Sequence, residues 1–237
     1  MRKVRIVTAT TRNEVEFRHM TLLGQSLALF PRQAGLEISV FPGNTGIRRT
    51  GLGTLYNSFL HQANGDEIIL YVHDDVYIHD WHLVQRLNDA VERYEVVGLA
   101  GNADPDLSEP SWMLAWDREK HPSGRQHREV LSGMVGHLVK GTTHISQYGP
   151  APRECVLLDG VFLAVDVKKI LDTGVRFDPQ FTFHFYDLDF CRQCSMKGLR
   201  LGTWPIAVTH ASGGDFGSKE WIIARDRYLS KWRQDNR

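Results

Sequence analysis

The spacing of apolar and polar residues in the first half of the chain predicts strands that alternate with helices. Val4 to Ala9 is a short apolar run typical of a buried strand, and Glu14 to Leu29 follows with apolar residues at helical spacing. The next predicted elements are a strand, a helix and a strand, over Leu36 to Phe41, Leu52 to Ala63 and Ile68 to Val72. This alternation predicts a mainly parallel sheet covered by helices, with ligands at the carboxyl ends of the strands.

The second half of the chain is less regular. A helix is predicted over Asp80 to Val91, with Asp80 as its N-cap, and a strand over Val96 to Gly101. From Asn102 to Pro152 the periodicity is lost among Pro, Gly, His and polar residues, and the segment is too long for a simple connector. The remaining predicted elements are a strand, a short helix and a C-terminal helix, over Val156 to Val165, Lys168 to Thr173 and Trp221 to Trp232.

Composition and charge exclude several classes of protein. The 237 residues suffice for one large α/β domain, and 42% hydrophobic with 24% charged residues is typical of a globular protein. Because 28 Lys and Arg residues balance 28 Asp and Glu residues, we expect no nucleic-acid partner. No apolar run approaches the roughly 18 residues of a membrane span, and none follows Met1 as a signal segment would. We therefore expect a cytoplasmic protein, and three unevenly spaced cysteines agree with a reduced compartment.

Two adjacent carboxylates, Asp74 and Asp75, come directly after the third predicted strand. A hard divalent cation offsets the repulsion between two such groups. Mg²⁺ keeps few protein ligands and takes the others from diphosphate oxygens and water, so a sparse aspartate site suits a nucleoside diphosphate. The alternative interpretation is that both side chains cap the following turn in solvent.

Three blocks of the sequence resemble the GT-A glycosyltransferases. The first block holds a helix with an Asn, an "A-x-G-D" turn and a strand with an acidic end; the second holds a strand and an acidic helix start; the third holds a late strand with a His. They comprise, in order, Gly53 to Leu60 with Ala63 to Asp66 and Ile68 to Val76; Leu158 to Ala164 with Phe177 to Pro179 and Phe185 to Arg192; and Ala207 to Gly214. The resemblance is closest to family 2 and, within it, to the branch first noticed in streptomycin biosynthesis clusters.

The resemblance implies a fold and a reaction. The expected fold is α/β of the GT-A type, a single domain with a Rossmann-like, mixed but mostly parallel sheet flanked by helices. Residues 1–101 would form the nucleotide-binding half and residues 102–237 the acceptor-binding half. The expected reaction is metal-dependent, inverting transfer of a sugar from a nucleoside-diphosphate sugar to a glycan, lipid-linked or small-molecule acceptor, with peripheral membrane contact left open. The region from Asn102 to Pro152 would select the acceptor, with Trp112 and Trp116 as stacking or core residues.

The resemblance also assigns roles to individual residues. It implies that Asp75 and His210 bind Mn²⁺ or Mg²⁺, and that Asp187 is the base that takes the proton of the acceptor hydroxyl. The residues that it implies for donor binding are Thr8, Ala9, Thr10, Asn44, Asn57, Asp74, Asp159 and Gly160. Without the resemblance, His210 reads as a core or capping histidine and Asp187 as a carboxylate at a helix N-terminus. Asp189, two residues further along a helix, is expected to be structural.

The chain departs from the family pattern at identifiable positions. The opening motif of the family appears here as Ala9 to Glu14, without its Pro or Tyr and with one residue more. Asn44 stands where an Asp commonly reads the nucleotide base, and His73 stands where a first Asp is often found. These departures leave the nucleotide base open.

Two other functions remain as alternatives. A sugar nucleotidyltransferase also uses a sheet, a nucleotide and Mg²⁺, but Thr8 to Asn13 contains no glycine for the phosphate loop expected after its first strand. A non-catalytic module of the same fold would bind a nucleotide or glycan without turnover. The joint presence of Asp75, Asp187 and His210 disfavours that module, because binding alone does not require all three.

Overall fold

A computed structural model describes residues 1–31, 35–113, 128–212 and 215–234, and two β-sheets organise them. Trp116, Gly213 and Gly214 lie outside the described residues. The first sheet has seven strands, which in their order across the sheet are β2 (Leu36–Phe41), β1 (Lys3–Ala9), β3 (Glu67–Val72), β11 (Phe162–Asp166), β5 (Val96–Gly98), β12 (Leu201–Thr203) and β9 (Arg153–Cys155). Five of these strands run in one direction, and β11 and β9 run in the other. The prediction of a mixed, mostly parallel sheet is confirmed.

A second sheet has six strands, and these strands alternate in sequence with those of the first sheet. Its strands are β10 (Leu157–Leu158), β6 (Ala100–Asn102), β7 (Leu131–Val139), β13 (Val208–His210) and β4 (Val76–Ile78), with β8 (Thr142–Gly149) paired to the other side of β7. The β7–β13 pair is parallel and the other pairs are antiparallel. This sheet carries two of the residues that the sequence singles out, His210 and, just before β4, Asp75.

Seven α-helices complete the described architecture. They are α1 (Glu14–Met20), α2 (Leu22–Ala28), α3 (Leu52–Gln62), α4 (Leu83–Val91), α5 (Val167–Thr173), α6 (Tyr186–Met196) and α7 (Lys219–Gln234). The helix predicted over Glu14 to Leu29 is interrupted at Thr21, whose hydroxyl accepts a hydrogen bond from the backbone N–H of Gly24 and so caps a new helix. A Cβ on Gly24 would lie 2.0 Å from the carbonyl oxygen of Phe17, so only glycine permits this close packing of the two helices.

Three predicted boundaries are wrong for physical reasons. Helix α4 begins at Leu83, and Asp80 instead accepts the backbone N–H of His82 and forms an ion pair with Arg86. The strand predicted over Val96 to Gly101 is two strands, β5 and β6, which belong to different sheets and are separated by Leu99 alone. The strand predicted over Val156 to Val165 is likewise divided between β10 and β11. Hydrophobic periodicity reports burial, and burial is continuous where the chain passes from one sheet to the other.

The region from Asn102 to Pro152 is more regular than predicted. Within its described residues, β7 and β8 form an antiparallel hairpin whose tip is Lys140-Gly141, both with positive φ. Strand β8 is mostly exposed, so its side chains lack the alternation of apolar and polar residues that identifies a half-buried strand. The expectation of irregular structure fails for residues 131–149 for that reason.

The crossings between the sheets position the residues of interest. His73, Asp74 and Asp75 fill the short connection from β3 in the first sheet to β4 in the second. Residues 159–161 fill the connection from β10 back to β11. Strand β3 is buried along its whole length, so both connections start from rigid, well-packed strands. Among the described residues, no helix has the length and apolar character required to span a membrane.

Candidate functional site

A cavity of about 370 Å³ opens where these connections meet the start of α6. Its described lining includes five aspartates and four histidines. They are Asp74, Asp75, Asp159, Asp187 and Asp215, and His73, His137, His184 and His210. Aromatic side chains, among them Trp112 and Phe183, cover much of the remaining wall. The cavity therefore combines metal-ligating side chains with an apolar surface, as ligand sites commonly do.

Three of these side chains form a cluster with the donor set of a metal site. His73, Asp75 and His210 each offer one ligand atom, and these atoms lie within 4.8 Å of one another. The Oδ1 atom of Asp75 lies 3.3 Å from Nε2 of His210. That oxygen is buried, and no contact with the described residues gives it a well-directed hydrogen bond, although the His210 imidazole is near. A buried carboxylate oxygen in this state is costly, and a divalent cation would satisfy it.

The hydrogen bond between His73 and Tyr186 fixes which nitrogen atom of the His73 imidazole is free. Nε2 of His73 lies 2.9 Å from the hydroxyl of Tyr186, and that hydroxyl donates to the carbonyl oxygen of Gly160 at 2.8 Å. Because the tyrosine proton is committed to the carbonyl, we assign the hydrogen of the imidazole to Nε2, which leaves the lone pair on Nδ1. Burial raises the pKa of Tyr186 well above its usual value, so the hydroxyl stays protonated. This arrangement is typical of histidines that bind metals.

The electrostatics of the cluster favour a bound cation. Burial raises the pKa of Asp75, but its interactions with His210, His73 and Ser212 outweigh burial and bring the pKa to about 2. Burial lowers the pKa of His73, which favours the neutral, ligating imidazole. Two nitrogen ligands and one oxygen ligand suit Mn²⁺ better than Mg²⁺, which prefers oxygen. The residues present therefore fit a divalent transition metal.

The sequence identified two members of this cluster and missed the third. Asp75 and His210 were predicted as metal ligands, and they lie together as the prediction requires. His73 was noted only as a departure from the usual first Asp. Its position directly after a buried strand and before two aspartates could have indicated a metal ligand. A side chain there lies at the same edge of the sheet as the two carboxylates.

Of the three residues predicted to bind the donor at the end of β1, Ala9 is among the described residues that line the cavity, and Thr8 and Thr10 are not. Asp74 and Ala9 line the cavity, and the carboxylate of Asp74 interacts with the hydroxyl of Thr10. Burial raises the pKa of Asp74, and the Thr10 hydroxyl lowers it in part. Thr8 is fully buried, and its hydroxyl oxygen has no partner among the described residues. At the end of β1, Thr10 therefore bears on the cavity through its contact with Asp74.

Asn44 and Asn57 do not line the cavity. The amide of Asn44 exchanges hydrogen bonds with the backbone of Thr50, at 2.7 Å and 3.0 Å, and so closes the loop between them. The amide of Asn57 does the same with the backbone of Phe177, at 2.7 Å and 3.0 Å. Both side chains have their donors and acceptors committed to backbone groups, which is a structural role that spacing alone does not reveal.

Asp187 lies in the first turn of α6 and points into the cavity. Its Oδ2 atom accepts the backbone N–H of Gly160 at 2.8 Å. Burial, and then the nearby charge of Asp159, raise the pKa of Asp187 to about 7. A Cβ on Gly160 would lie 2.7 Å from both the Cβ of Asp187 and the hydroxyl of Tyr186, so glycine is required for this contact. A carboxyl group with such a pKa can exchange a proton near neutral pH.

Asp159 is held in place by two hydrogen bonds. Its Oδ2 accepts the indole N–H of Trp112 at 2.8 Å, and its Oδ1 accepts the backbone N–H of Val161 at 2.9 Å. Trp112 in turn packs edge-on against Tyr148 of β8, with ring centres 5.0 Å apart. The β7–β8 hairpin therefore contributes a wall of the cavity next to the carboxylates.

Asp189 has the structural role that the sequence predicted. Its side chain is fully buried and accepts hydrogen bonds from Gln193 at 2.6 Å and from the indole of Trp232 at 3.0 Å. It also forms an ion pair with Lys231 at 2.7 Å. It is not among the residues that line the cavity.

Comparisons with known proteins agree on the fold. No protein-family model matches the chain, and no curated protein does. Among known structures, the chain is similar to the mannosyltransferase PcManGT from Pyrobaculum calidifontis in complex with GDP-Man and Mn²⁺, at 13% identity with a TM-score of 0.57. It is also similar to GalNAc-T7 with UDP, GalNAc and Mn²⁺, at 12% identity with a TM-score of 0.60. A third similar structure is S. aureus TarS 1–349 in complex with UDP, at 13% identity with a TM-score of 0.51.

These matches cover 97% to 98% of this chain. They cover only 64%, 48% and 64% of the three known chains, so this chain spans about half to two thirds of their length. At identities this low the likeness shows the fold, which is the GT-A fold that the sequence predicted.

Proposed function

We propose that the chain is a metal-dependent glycosyltransferase, which moves a sugar from a nucleoside-diphosphate sugar to an acceptor. One observation carries the proposal: the His73–Asp75–His210 cluster, with its buried and unsatisfied Asp75 oxygen, lies in the same cavity as Asp187. A cation site and a carboxyl group with a pKa of about 7 are the two parts that such a transfer needs. Two of the structural neighbours contain Mn²⁺ together with GDP-Man or UDP, which supports the same donor class here.

The three ligands would hold Mn²⁺ or Mg²⁺ at the end of the cavity nearest β3 and β13. When bound, the ion would supply Lewis acidity to the diphosphate, which makes it a better leaving group. His73 would be held in its ligating orientation by Tyr186, and the nucleoside would lie along Thr8, Ala9, Thr10 and Asp74. The nucleotide-binding half would be residues 1–101 and the acceptor-binding half residues 102–237.

Asp187 would act as the base for an inverting transfer. Its carboxylate takes the proton of the acceptor hydroxyl while that oxygen forms a bond to C1 of the sugar. The bond between C1 and the diphosphate oxygen breaks on the opposite face, and the nucleoside diphosphate leaves. The backbone N–H of Gly160 would hold the carboxylate in place during this step. The stereochemistry follows from a single displacement, and a glycan, lipid-linked or small-molecule acceptor fits it equally.

Within the GT-A glycosyltransferases, the three sequence blocks support an assignment of the chain to family 2 and its streptomycin-cluster branch. A cytoplasmic location is supported by three free cysteines, all buried as thiols. A sugar nucleotidyltransferase is less well supported, because the end of β1 contacts Asp74 through Thr10 and has no glycine-rich loop.

A panel of nucleoside diphosphates tests the proposal. The melting temperature of the wild-type chain is measured with each compound, with and without Mn²⁺, because a ligand that binds only the folded state raises it. We expect UDP or GDP to stabilise the chain only when Mn²⁺ is present. Asp75→Ala should stay folded and lose that dependence, whereas His210→Ala should lose it less completely because water replaces one ligand. Equal affinity in EDTA and in Mn²⁺ would overturn the proposal.

A further inference from the structure

Three histidines form a row across one face of the second sheet. In β13, His210 is the register partner of His137 in β7, and His137 is the register partner of His144 in β8. Residues directly opposite one another in neighbouring strands point to the same face. The row therefore starts at a candidate metal ligand, His210, and continues outward through His137 to His144.

The middle histidine is held next to the metal cluster. The ring centres of His137 and His210 are 6.1 Å apart. A Cβ on the preceding residue, Gly136, would lie 2.9 Å from the carbonyl oxygen of Val208, so glycine permits β7 and β13 to approach this closely. His137 lines the cavity and is partly buried, whereas His144 is exposed and is not among the lining residues.

Among the described residues, the lining of the cavity is acidic. Of the described residues that line it, none is Lys or Arg, although five are aspartates. Arg49 stacks on the ring of Phe183 at 5.3 Å and is not among the lining residues. A diphosphate carries several negative charges, and next to five carboxylates it needs both a cation and directed hydrogen-bond donors.

The geometry points to His137 as a residue that binds the donor diphosphate. Its imidazole donates a hydrogen bond to the phosphate group that is bonded to the transferred sugar. An imidazole carries at least one N–H donor in either protonation state, so this contact does not require a charged ring. His137 is near His210 and within the electrostatic influence of Asp159. It thus lies close to the metal cluster, which would hold the leaving phosphate in the proposed transfer.

The inference rests on the proposed function, and calorimetry with four proteins separates the two. Wild type, His137→Phe, His137→Gln and His144→Phe are titrated with UDP and UMP in saturating Mn²⁺, or with GDP and GMP if the wild type prefers guanine. Phe keeps a planar ring without a donor, and Gln restores an N–H. His144→Phe is the matched control, since it changes the outer member of the same row.

We expect His137→Phe to weaken UDP binding about 10-fold or more while UMP binding changes little, because one hydrogen bond to a charged group is lost. His137→Gln should recover most of the affinity, and His144→Phe should bind like wild type. Unchanged UDP affinity in a folded His137→Phe would overturn the inference and leave the proposed function intact. Mn²⁺ binding without nucleotide, followed by electron paramagnetic resonance, should not change in His137→Phe; a comparable loss there would make His137 a metal ligand instead. A wild-type chain that binds neither UDP nor GDP with Mn²⁺ would overturn both.

Discussion

The hydroxyl of Tyr186 joins the two chemical parts of the cavity. It accepts from His73 and donates to Gly160, whose own N–H is bound by Asp187. The orientation of a metal-ligating imidazole and the position of the candidate base therefore depend on one buried side chain and one glycine. Coupling of this kind holds catalytic groups at fixed separations without flexible loops.

Replacing Tyr186 by Phe should weaken Mn²⁺ binding about 10-fold, because loss of an outer-shell hydrogen bond typically costs 10- to 100-fold in metal affinity. The measurement is Mn²⁺ affinity by electron paramagnetic resonance. Tyr71→Phe is the control, since Tyr71 is also fully buried and its hydroxyl donates to a backbone carbonyl, that of Tyr56. Equal Mn²⁺ affinities in the two variants would show that Tyr186 does not orient His73.

Asp187→Asn should remove sugar transfer and leave donor and metal binding nearly intact. Asn keeps the size of the side chain but cannot take a proton, and loss of a general base typically costs about 10² to 10⁴ in rate. The wild-type rate should rise with pH and level off above about 7, because burial raises the pKa of Asp187 to about 7 and only the ionised form is a base. Transfer rate and donor affinity are measured together across pH. A near-wild-type transfer rate in Asp187→Asn would contradict the assignment of Asp187 as the base. Loss of donor binding in the same variant would place Asp187 in the donor site.

The accuracy of the sequence-based assignments differs from residue to residue. The family resemblance predicted Asp74, Asp75, Asp187 and His210 as site residues, and all four line the cavity. Asn57 was placed in the same group by its motif, yet its amide binds the backbone of Phe177, 120 positions away in sequence. A tertiary hydrogen bond of that span leaves no local pattern, so the same residue type is equally compatible with a ligand contact and a structural one.

Among the helices, α7 is attached to the element that carries Asp187. Lys231 of α7 forms ion pairs with Asp178 at 2.8 Å and with Asp189 of α6 at 2.7 Å. The indole of Trp232 donates to the same Asp189, and Arg192 of α6 stacks on its ring at 4.2 Å. The sequence predicted α7 from its spacing and the start of α6 from the family resemblance. It did not predict this contact, because amphipathic patterns identify a buried face and not its partner.

Lys231→Met should lower the free energy of unfolding by about 2 kcal/mol, because the buried carboxylate of Asp189 loses its ion-pair partner. The effect falls below the range for fully buried pairs, since Lys231 is 26% exposed and Asp189 keeps its bonds to Gln193 and Trp232. Urea unfolding measures it. Lys219→Met is the control, because Lys219 is an exposed residue in the first turn of the same helix. Indistinguishable stabilities of the two variants would contradict the anchoring role.

At the scale of the whole molecule, the cavity forms where the two sheets are joined. The chain passes between them several times, and two of these crossings, at residues 73–75 and 159–161, contribute cavity residues. The order of strands and helices in the first half predicted a mostly parallel sheet because strands such as β1 and β3 are locally apolar, and the family resemblance predicted the GT-A fold. The division between β5 and β6 was not predictable, since Leu99, which separates them, is as buried as the strands on either side.

This joining bears on how the chain unfolds. Strand β11, from the second half of the chain, lies between β3 and β5 of the first half, so residues 1–101 alone lack the centre of the first sheet. We therefore predict one cooperative transition for the whole chain, with far-ultraviolet circular dichroism and tryptophan fluorescence giving the same midpoint on heating. UDP or GDP with Mn²⁺ should move both midpoints upward together, because a ligand that binds the folded state stabilises every part that unfolds with the site. A fragment of residues 1–101 should show no cooperative melt, since β3 would expose the edge that β11 covers. Two separate transitions in the full chain, or a folded fragment, would mean that the two halves are independent domains.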